Sequence, residues 1–207
     1  MLDKKIILIG YSGHAYVVAD IAIENQYEII GYTEKSKVQN NPFNLNYAGY
    51  EKETDFFDNK NEVGFIIGIG DNSIRESIYN LISSKNVEVI TLISNTASIS
   101  HSARIDSGTF INRNVTINAF AQIGKNVILN TACIIEHECE ISASVHIAPG
   151  AVLAGNVFVG QRSFIGANSV IKQGVKIGND VIVGAGTVVV SDIQDGKKVV
   201  GNPNRYI

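Results

Sequence analysis

Aliphatic residues recur at every sixth position throughout the second half of the chain. The series begins at Ile99 and ends at Val189, and no insertion interrupts it. Its members are Ile99, Ile105, Ile111, Ile117, Ile123, Leu129, Ile135, Ile141, Ile147, Leu153, Val159, Ile165, Ile171, Ile177, Val183 and Val189. This period fits neither a single helix, which repeats about every 3.6 residues, nor a flat strand, which repeats about every second residue. We therefore predict short strands that alternate with tight corners and stack into a parallel β-helix.

A second series, of small or β-branched residues, lies two positions before each aliphatic residue. Its members are Ala97, Ala103, Thr109, Val115, Ala121, Val127, Cys133, Cys139, Val145, Ala151, Val157, Ser163, Ser169, Val175, Val181 and Thr187. Glycine follows the aliphatic residue at Gly124, Gly160, Gly166, Gly178 and Gly184. We expect the small residues to point inward, where they let the corner close. Cys133 and Cys139 belong to this series, which predicts a structural role for both thiols.

Residues 1–95 follow a different pattern, in which strand-like and helix-like segments alternate. Strands are predicted at 4–10, 27–33, 62–69 and 87–94, and helices at 14–25 and 73–86. Such alternation is typical of a small parallel α/β sheet. The polar, asparagine-rich segment 36–53 predicts a loop or flap. Because no linker separates the two patterns, we predict an α/β domain at 1–95 and a β-helix domain with a C-terminal tail at 96–207.

Composition and charge narrow the possible functions. The 207 residues are 45% hydrophobic, which is ample for a sizeable core, and the formal net charge is −3. No basic cluster is present, so nothing indicates binding to nucleic acid or to an anionic membrane. The apolar run at the start is too short for a signal peptide or a membrane span, and two cysteines provide no disulfide framework. These features predict a soluble, cytoplasmic protein.

The turn GYSGH at 10–14 follows the first predicted strand and opens the first predicted helix. Glycines let a backbone approach a ligand, and amides at a helix start favour anions. Only Gly10 and Gly13 match the dinucleotide fingerprint, which argues against a dinucleotide cofactor. A phosphate site and a tight structural turn are the two interpretations. His14 could contact a phosphate or cap the helix.

Two further polar segments follow predicted strands. Thr33, Glu34 and Lys35 end the second strand, where a side chain could contact a base or a ribose. A solvated turn explains them equally well. In GIGDNSIR at 68–75, Asp71 or Asn72 could cap the second helix or contact a ligand.

The stretch IIEHECEI at 134–141 places His137 between Glu136 and Glu138 in an apolar run. Ile135 belongs to the inward series, so Glu136 and His137 belong to the following corner and project from the β-helix. An imidazole there could act as a general base, and either glutamate could hold its ring. The alternative is a solvated edge between two strands.

Together these motifs resemble the PglD/NeuD-type sugar acyltransferases, which include a UDP-4-amino-sugar acetyltransferase and sialic acid O-acetyltransferases. The resemblance extends over nearly the whole chain and rests on GYSGHA, GIGDNSIR, ILNTACIIEHECEI, VHIAPGAVLAGNV and VVGNPNRYI. It implies a small Rossmann-like domain that binds a sugar nucleotide, followed by a left-handed β-helix with three repeats per coil. It also implies acetyl-CoA as co-substrate, no metal, and a homotrimer with active sites between neighbouring subunits.

The resemblance assigns roles to residues at three places. The predicted catalytic residues are His137, as general base, with Glu138 and Asn130. The predicted acetyl-CoA-binding residues are His146, Gly155, Ala167, Gly184 and Pro203. The predicted residues for the nucleotide-linked sugar are Gly10, Ser12, Gly13, His14, Thr33, Glu34, Lys35 and Asn72.

Two departures from the family pattern affect these assignments. Thr33 and Glu34 stand where family members often have paired aspartates, which leaves the identity of the nucleotide open. The tail has Asn204 and Arg205 after Pro203, where the family usually has alanine and then lysine or arginine. The terminal contacts to CoA are therefore expected to differ.

With three repeats per coil, Gly155 follows His137 at the same corner. A glycine there leaves room for a thioester, and its amide could stabilise the negative charge of acyl transfer. The predicted reaction is direct attack of a sugar amine on acetyl-CoA, with His137 taking the proton. Through their resemblance to the amino-sugar branch of the family, the EHEC and GIGDNSIR motifs imply N-acetylation of a nucleotide-linked 4-amino-sugar in bacterial glycan or surface polysaccharide biosynthesis. O-acetylation of the sialic acid type is the alternative.

Two other functions are compatible with the sequence. His101 and His137 lie two coils apart on one corner line, as do metal-binding histidines in enzymes of the γ-carbonic anhydrase type. The place of a third ligand is taken by Ser142, which makes a poor zinc site. A non-catalytic sensor of sugar nucleotides is another possibility, and His146 could be structural.

Overall fold

The computed structural model describes residues 4–58, 60, 62–85 and 87–207. The chain forms two compact units, an α/β unit and a β-solenoid, which divide between Leu92 and Ile93. No helix in the described ranges combines the length and the apolar character that crossing a membrane requires.

The α/β unit consists of three parallel strands and two helices. They are β1 (Lys5–Ile9), α1 (Gly13–Glu24), β2 (Glu28–Thr33), β3 (Gly64–Ile67) and α2 (Asn72–Ser83). The strand order is β2-β1-β3, so the first strand lies in the middle of the sheet. Four consecutive residues of β1, at 6–9, are buried, as expected for a strand that is covered on both faces. The predicted small parallel α/β sheet is confirmed.

The continuous strand predicted at 87–94 is not observed. Val89 forms only an isolated parallel bridge with Phe65 of β3. The chain then forms a separate short strand, β4 (Leu92–Ile93), at the boundary between the units. A run of aliphatic residues does not reveal where a chain leaves one sheet for another. The predicted end of the second helix, residue 86, lies outside the described residues.

The segment 36–53, predicted as a loop or flap, is held against the edge of the sheet. The amide of Tyr32 donates to the carbonyl of Asn46 at 2.9 Å, as in a parallel strand pair. The hydroxyl of Tyr11 donates to Asn41 Oδ1 at 2.7 Å. The rings of Tyr11 and Tyr32 stack, with centroids 4.3 Å apart. Two tyrosines of the sheet region therefore fix the position of this segment.

The solenoid has three faces built from strands of two or three residues. The first face contains β4, β7 (Phe110–Ile111), β10 (Ile128–Leu129), β13 (His146–Ile147), β16 (Phe164–Ile165), β19 (Ile182–Val183), β21 (Lys198–Val200) and β22 (Arg205–Tyr206). The second contains β5 (Ser98–Ile99), β8 (Thr116–Ile117), β11 (Ile134–Ile135), β14 (Val152–Leu153), β17 (Val170–Ile171) and β20 (Val188–Val189). The third contains β6 (Arg104–Ile105), β9 (Gln122–Ile123), β12 (Glu140–Ile141), β15 (Phe158–Val159) and β18 (Lys176–Ile177).

Strands on each face pair in parallel with strands one coil away, as Ile128 pairs with His146. The exception is β22, which pairs antiparallel with β21 in the tail. We call the turn between the first and second faces the first corner, the turn between the second and third faces the second corner, and the remaining turn the third corner. The predicted parallel β-helix of hexapeptide repeats is confirmed.

The two sequence series fill the interior of the solenoid. Aliphatic residues such as Leu129 and Ile135 have no exposed surface, and neither do Cys133 and Cys139. Burial raises the pKa of the Cys133 thiol to about 12, so this thiol stays protonated and unreactive. Both thiols are free, which agrees with the structural role predicted for them.

Many corners contain a residue in the left-handed backbone region. Asn126, for example, has φ 57° and Ser144 has φ 59°. Asparagine, aspartate and glycine tolerate this conformation best, whereas bulky side chains rarely adopt it. Glu138, with φ 59°, occupies the left-handed position of the second corner directly after His137.

Candidate functional sites

A cleft of about 450 Å³ opens at the carboxyl ends of the three strands of the α/β unit. Because β1 lies between β2 and β3, the chain crosses in opposite directions on its two sides, and ligands bind open parallel sheets at such points. The predicted residues that line the cleft are Gly10, Ser12, His14, Thr33, Glu34 and Lys35. Gly13 and Asn72 are not among the lining residues.

Tyr50, Glu51 and Lys52 form one wall of this cleft, which the sequence pattern did not predict. Glu51 is only 6% exposed. The segment 36–53 brings these residues to the cleft because Tyr11 and Tyr32 hold it against the sheet. Periodicity gives no signal for such an anchor, since the contacts come from ring stacking and hydroxyl groups.

Two side chains at the end of β2 face this region in different ways. Glu34 Oε1 accepts a hydrogen bond from the amide of Tyr11 at 2.9 Å, so this carboxylate closes the turn at 10–14. The Thr33 side chain is fully buried, and its hydroxyl has no hydrogen-bond partner among the described residues. A buried polar group without a partner costs free energy, so a ligand that bonds to Thr33 Oγ1 would remove that cost.

A buried arginine supports the loop that follows β3. Arg75 is 1% exposed, and its guanidinium donates to the carbonyl of Gly70 at 3.0 Å and to Asn72 Oδ1 at 2.9 Å. Asn72 therefore holds Arg75, while Asp71 caps α2 by accepting from the amide of Ile74 at 2.9 Å. Arg75 was also missed, although its place one turn after the cap in GIGDNSIR was a usable signal.

Arg75 also affects the histidine in the cleft. Burial, followed by the positive charge of Arg75, lowers the pKa of His14 to about 4. His14 is therefore neutral at physiological pH. It could contact a phosphate as a hydrogen-bond donor, but not as a cation.

In the solenoid, His137 projects from the second corner, as expected. Its side chain is 49% exposed, and its Nδ1 lies 3.1 Å from Oε2 of Glu138, which is 64% exposed. Of the two flanking glutamates, Glu138 is thus the one that contacts the ring. The proximity of a carboxylate to Nδ1 favours the tautomer that carries its proton on Nδ1.

Gly155 lies one coil after His137 at the second corner. A Cβ built on Gly155 would overlap the His137 ring. The missing side chain therefore makes room for the imidazole, and the expected space for a thioester beside Gly155 stays a prediction. The amide of Gly155 has no acceptor in the described part of the chain.

Asn130 and His146 form a second polar cluster, with Asn130 at the first corner and His146 on the first face. Asn130 Nδ2 is 3.3 Å from His146 Nε2. His146 is 9% exposed and packs edge-on against Phe164, with ring centroids 5.0 Å apart. Asn130 Oδ1 also accepts from the side-chain amide of Asn112, one coil away, at 2.8 Å.

Within one chain, the Asn130–His146 pair lies apart from His137 and Glu138. Asn130 follows β10 on the first face, and His146 lies on β13 of the same face. His137 follows β11, so the whole second face separates it from Asn130. The other predicted acetyl-CoA-binding residues are divided as well, since Ala167 and Gly184 lie on the first corner and Gly155 on the second. Pro203 lies in the tail between β21 and β22.

A groove of about 340 Å³ runs beside the second corner. Its lining residues are Glu138, Glu140, Asn156, Val157, Phe158, Gly174 and Lys176. Phe158 is 37% exposed and is the exposed large hydrophobic residue of this lining. No sequence pattern predicts this groove, because the outward strand positions show no period.

In the ranges that the structure describes, no group of three or more His, Cys, Asp and Glu side chains is placed to hold a metal ion. His101 lies two coils before His137 at the second corner. Ser142, five residues after His137, lies at the third corner and cannot complete a site with this pair.

Two family models match parts of the chain. Residues 5–82 match a family model described as the PglD N-terminal domain, and residues 156–191 match one described as the hexapeptide repeat of succinyl-transferase. No curated protein matches the chain significantly.

Solved structures match over the full length. The acetyltransferase domain of PglB from Neisseria gonorrhoeae FA1090, in complex with acetyl coenzyme A, is 31% identical with a TM-score of 0.93, and the match covers 99% of this chain and 100% of that chain. This chain belongs to the PglD/NeuD-like sugar acyltransferases.

Other PglD/NeuD-like structures are nearly as similar. PerB from Caulobacter crescentus, in complex with CoA and GDP-perosamine, is 29% identical with a TM-score of 0.92, covering 98% of this chain and 97% of that chain. A variant of GDP-perosamine N-acetyl transferase from the same organism, with the same two ligands, is 28% identical with a TM-score of 0.93, covering 98% and 96%. The resemblance inferred from the sequence motifs is confirmed.

Proposed function

We propose that the protein transfers an acetyl group from acetyl-CoA to the amino group of a nucleotide-linked 4-amino-sugar, in bacterial glycan or surface polysaccharide biosynthesis. The ligands of its relatives, acetyl-CoA, CoA and GDP-perosamine, support this proposal. The observation that carries it is the exposed imidazole of His137, held by Glu138 at 3.1 Å and seated over Gly155.

His137 is the proposed general base. With Nδ1 facing Glu138, the lone pair of Nε2 is available to take a proton from the sugar amine as its nitrogen attacks the thioester carbonyl. Glu138 stabilises the imidazolium that forms. The proton then passes to the departing thiolate of CoA, so a C–N bond replaces the C–S bond and His137 returns to its neutral state.

Gly155 is the proposed donor to the developing oxyanion. Its amide lacks an acceptor among the described residues, and a fixed backbone amide stabilises negative charge without having to reorganise. Its second task is to leave the volume that the His137 ring fills.

The cleft of the α/β unit is the proposed site of the nucleotide. The glycine-containing turn at 10–14 precedes α1, and amides at a helix start suit a diphosphate. Thr33 and the segment 50–52 supply polar groups for the remainder of the ligand. The nucleotide itself is left open, because Glu34 already bonds to the turn and the paired aspartates of the family are missing.

The acyl-transfer site is proposed to be shared by two copies in a homotrimer. This proposal is supported by the separation of His137 from Asn130 and His146 by a full face of one solenoid. A neighbouring copy can place its first corner against the second corner of this chain, which would unite the two groups. Mixing a His137→Ala variant with an Asn130→Ala variant and allowing subunit exchange should restore a fraction of activity, whereas two independent sites would restore none.

The main test is an assay of free thiol release from acetyl-CoA with a panel of UDP-, GDP- and dTDP-linked 4-amino-sugars. We expect release with at least one amino sugar and acetylation of its nitrogen, identified by mass spectrometry and NMR. Matched 4-hydroxy sugars and CMP-sialic acid serve as controls. Release with hydroxyl sugars only would replace the proposal with O-acetylation. Binding of sugar without any release would indicate a sensor, and activity abolished by chelators would indicate a metalloenzyme. The cytoplasmic location stays a prediction.

A further inference from the structure

A buried asparagine, Asn112, contacts the Asn130–His146 pair through Asn130. Asn112 is 2% exposed and lies one coil before Asn130 on the first corner. Its Nδ2 donates to Asn130 Oδ1 at 2.8 Å. Neither sequence periodicity nor the family motifs single out Asn112.

Backbone donors fix the orientation of both side-chain amides. The amide of Arg113 donates to Asn112 Oδ1 at 2.7 Å, and the amide of Thr131 donates to Asn130 Oδ1 at 2.8 Å. A backbone N–H can only donate, so both Oδ1 atoms must be acceptors. The NH2 group of Asn112 therefore points to Asn130, and the NH2 group of Asn130 points to His146.

This orientation determines the state of the His146 ring. Because Asn130 Nδ2 is a donor, His146 Nε2, 3.3 Å away, must accept. The ring then carries its proton on Nδ1. Protonation of Nε2 would place two donors face to face, so the chain of hydrogen bonds also disfavours the charged imidazolium.

We propose that Asn112 is a positioning residue for the acyl-transfer site, which orients the Asn130 amide and thereby holds His146 as a neutral ring with its proton on Nδ1. This inference rests on the proposed function, in which Asn130 and His146 face the reacting groups. Under this proposal, His137 and His146 have different roles. His137 exchanges protons, and His146 keeps one protonation state throughout and serves as a fixed polar group.

The kinetic test compares Asn112→Ala with a matched variant, Asn126→Ala. Asn126 is 1% exposed and donates through Nδ2 to Ser144 Oγ, one coil away, at 2.9 Å, but it lies on the third corner. It also has φ 57°, so alanine costs at least as much stability there as at Asn112. We expect Asn112→Ala to lower kcat about tenfold, the scale of one lost hydrogen bond, with an unchanged KM for the sugar. Asn126→Ala should keep its kcat within about twofold. Equal losses in both variants would overturn the proposal.

An isosteric variant adds a pH signature. In Asn112→Asp, a carboxylate oxygen faces Asn130 Oδ1 and repels it. A protonated carboxyl group can instead donate to that oxygen and rebuild the chain of hydrogen bonds. The activity of Asn112→Asp relative to the wild type should therefore rise as the pH falls, and a constant ratio at all pH values would contradict the proposal.

Nitrogen-15 NMR of histidine-labelled protein tests the tautomer directly and needs no substrate. The wild type should show His146 protonated at Nδ1, and Asn112→Ala should show a mixture of tautomers. A wild-type signal for protonation at Nε2 would overturn the inference. Should no amino sugar be acetylated at all, the proposed function fails, while the NMR result still decides the tautomer.

Discussion

The cleft of the α/β unit and the corners of the solenoid present functional groups in contrasting ways. The cleft gathers side chains from four separate segments, and each segment needs its own support: Glu34 for the turn, Arg75 for the loop after β3, and tyrosines for the segment 36–53. At the second corner, the backbone repeats coil after coil, and the side chains alone distinguish His137 from Ala119 and Gly155. Chemistry at a corner thus depends on very few residues, whereas the shape of the cleft depends on many.

The two regions also treat their histidines differently. His14 is kept neutral by burial and by the charge of Arg75, whereas His137 stands half-exposed beside a carboxylate. The first environment resists protonation, whereas the second leaves the ring accessible to solvent and orients it through its contact with Glu138. This difference suits a binding group in the cleft and a proton-exchanging group at the corner, and the following experiments test it.

The largest effect is expected at the second corner. His137→Ala should lower turnover by at least about 100-fold, because the general base is lost. Turnover is measured as thiol release at saturating acetyl-CoA. His101→Ala, on the same corner line two coils away, is the matched control and should retain wild-type turnover. Near-normal turnover in His137→Ala would remove this residue from its role and erase the contrast between corner and cleft.

The next effect concerns the stability of the α/β unit and its dependence on pH. The folded-state pKa of His14, about 4, lies below the ordinary value of 6.5. As the pH falls from 6.5 to 4, the unfolded chain therefore binds a proton that the folded chain does not, and stability is lost. His14→Gln should reduce this loss by about 2 kcal/mol. Urea unfolding at several pH values provides the measurement, and an unchanged pH slope would show that His14 is not held neutral.

A smaller effect is expected for the carboxylate at the corner. Glu138→Gln should lower kcat by up to about tenfold, since a neutral acceptor bonds Nδ1 less strongly than a charged one by about 1 kcal/mol. Glu136→Gln is the control and should have little effect, because Glu138 is the glutamate in contact with the ring. The reverse result would reassign the supporting carboxylate.

The smallest effect is expected for two buried threonine hydroxyls, that of Thr33 in the cleft and that of Thr109 in the solenoid. Thr33→Val should weaken nucleotide binding about fivefold without loss of stability, because the Thr33 hydroxyl has no partner among the described residues. Thr109→Val should instead lose about 1 kcal/mol of stability with unchanged binding, since Thr109 Oγ1 donates to the carbonyl of Gly124 at 2.9 Å. Calorimetric titration and urea unfolding separate the two outcomes. A loss of stability in Thr33→Val would identify its hydroxyl as structural.

The same contrast explains how much could be predicted from the sequence. In the solenoid, a period of six fixed the inward residues, and counting from Ile135 placed His137 at a corner. No comparable rule covers the cleft, because Tyr50, Glu51 and Lys52 reach it through ring stacking of residues distant in sequence. Periodicity also could not reveal the hydrogen bonds that link Asn112 to Asn130, since those depend on side-chain rotamers. Nor could it show that Glu138, and not Glu136, contacts the imidazole.

The position of the His137 imidazole depends on the missing side chain of Gly155. A single methyl group at this position would occupy the volume of the ring. A crystal structure of Gly155→Ala should accordingly show the imidazole swung away from its seat, with the strands and core unaltered. If His137 is the general base, as proposed, a residue without a functional group of its own would control proton exchange at this corner, and Gly155→Ala should lower turnover.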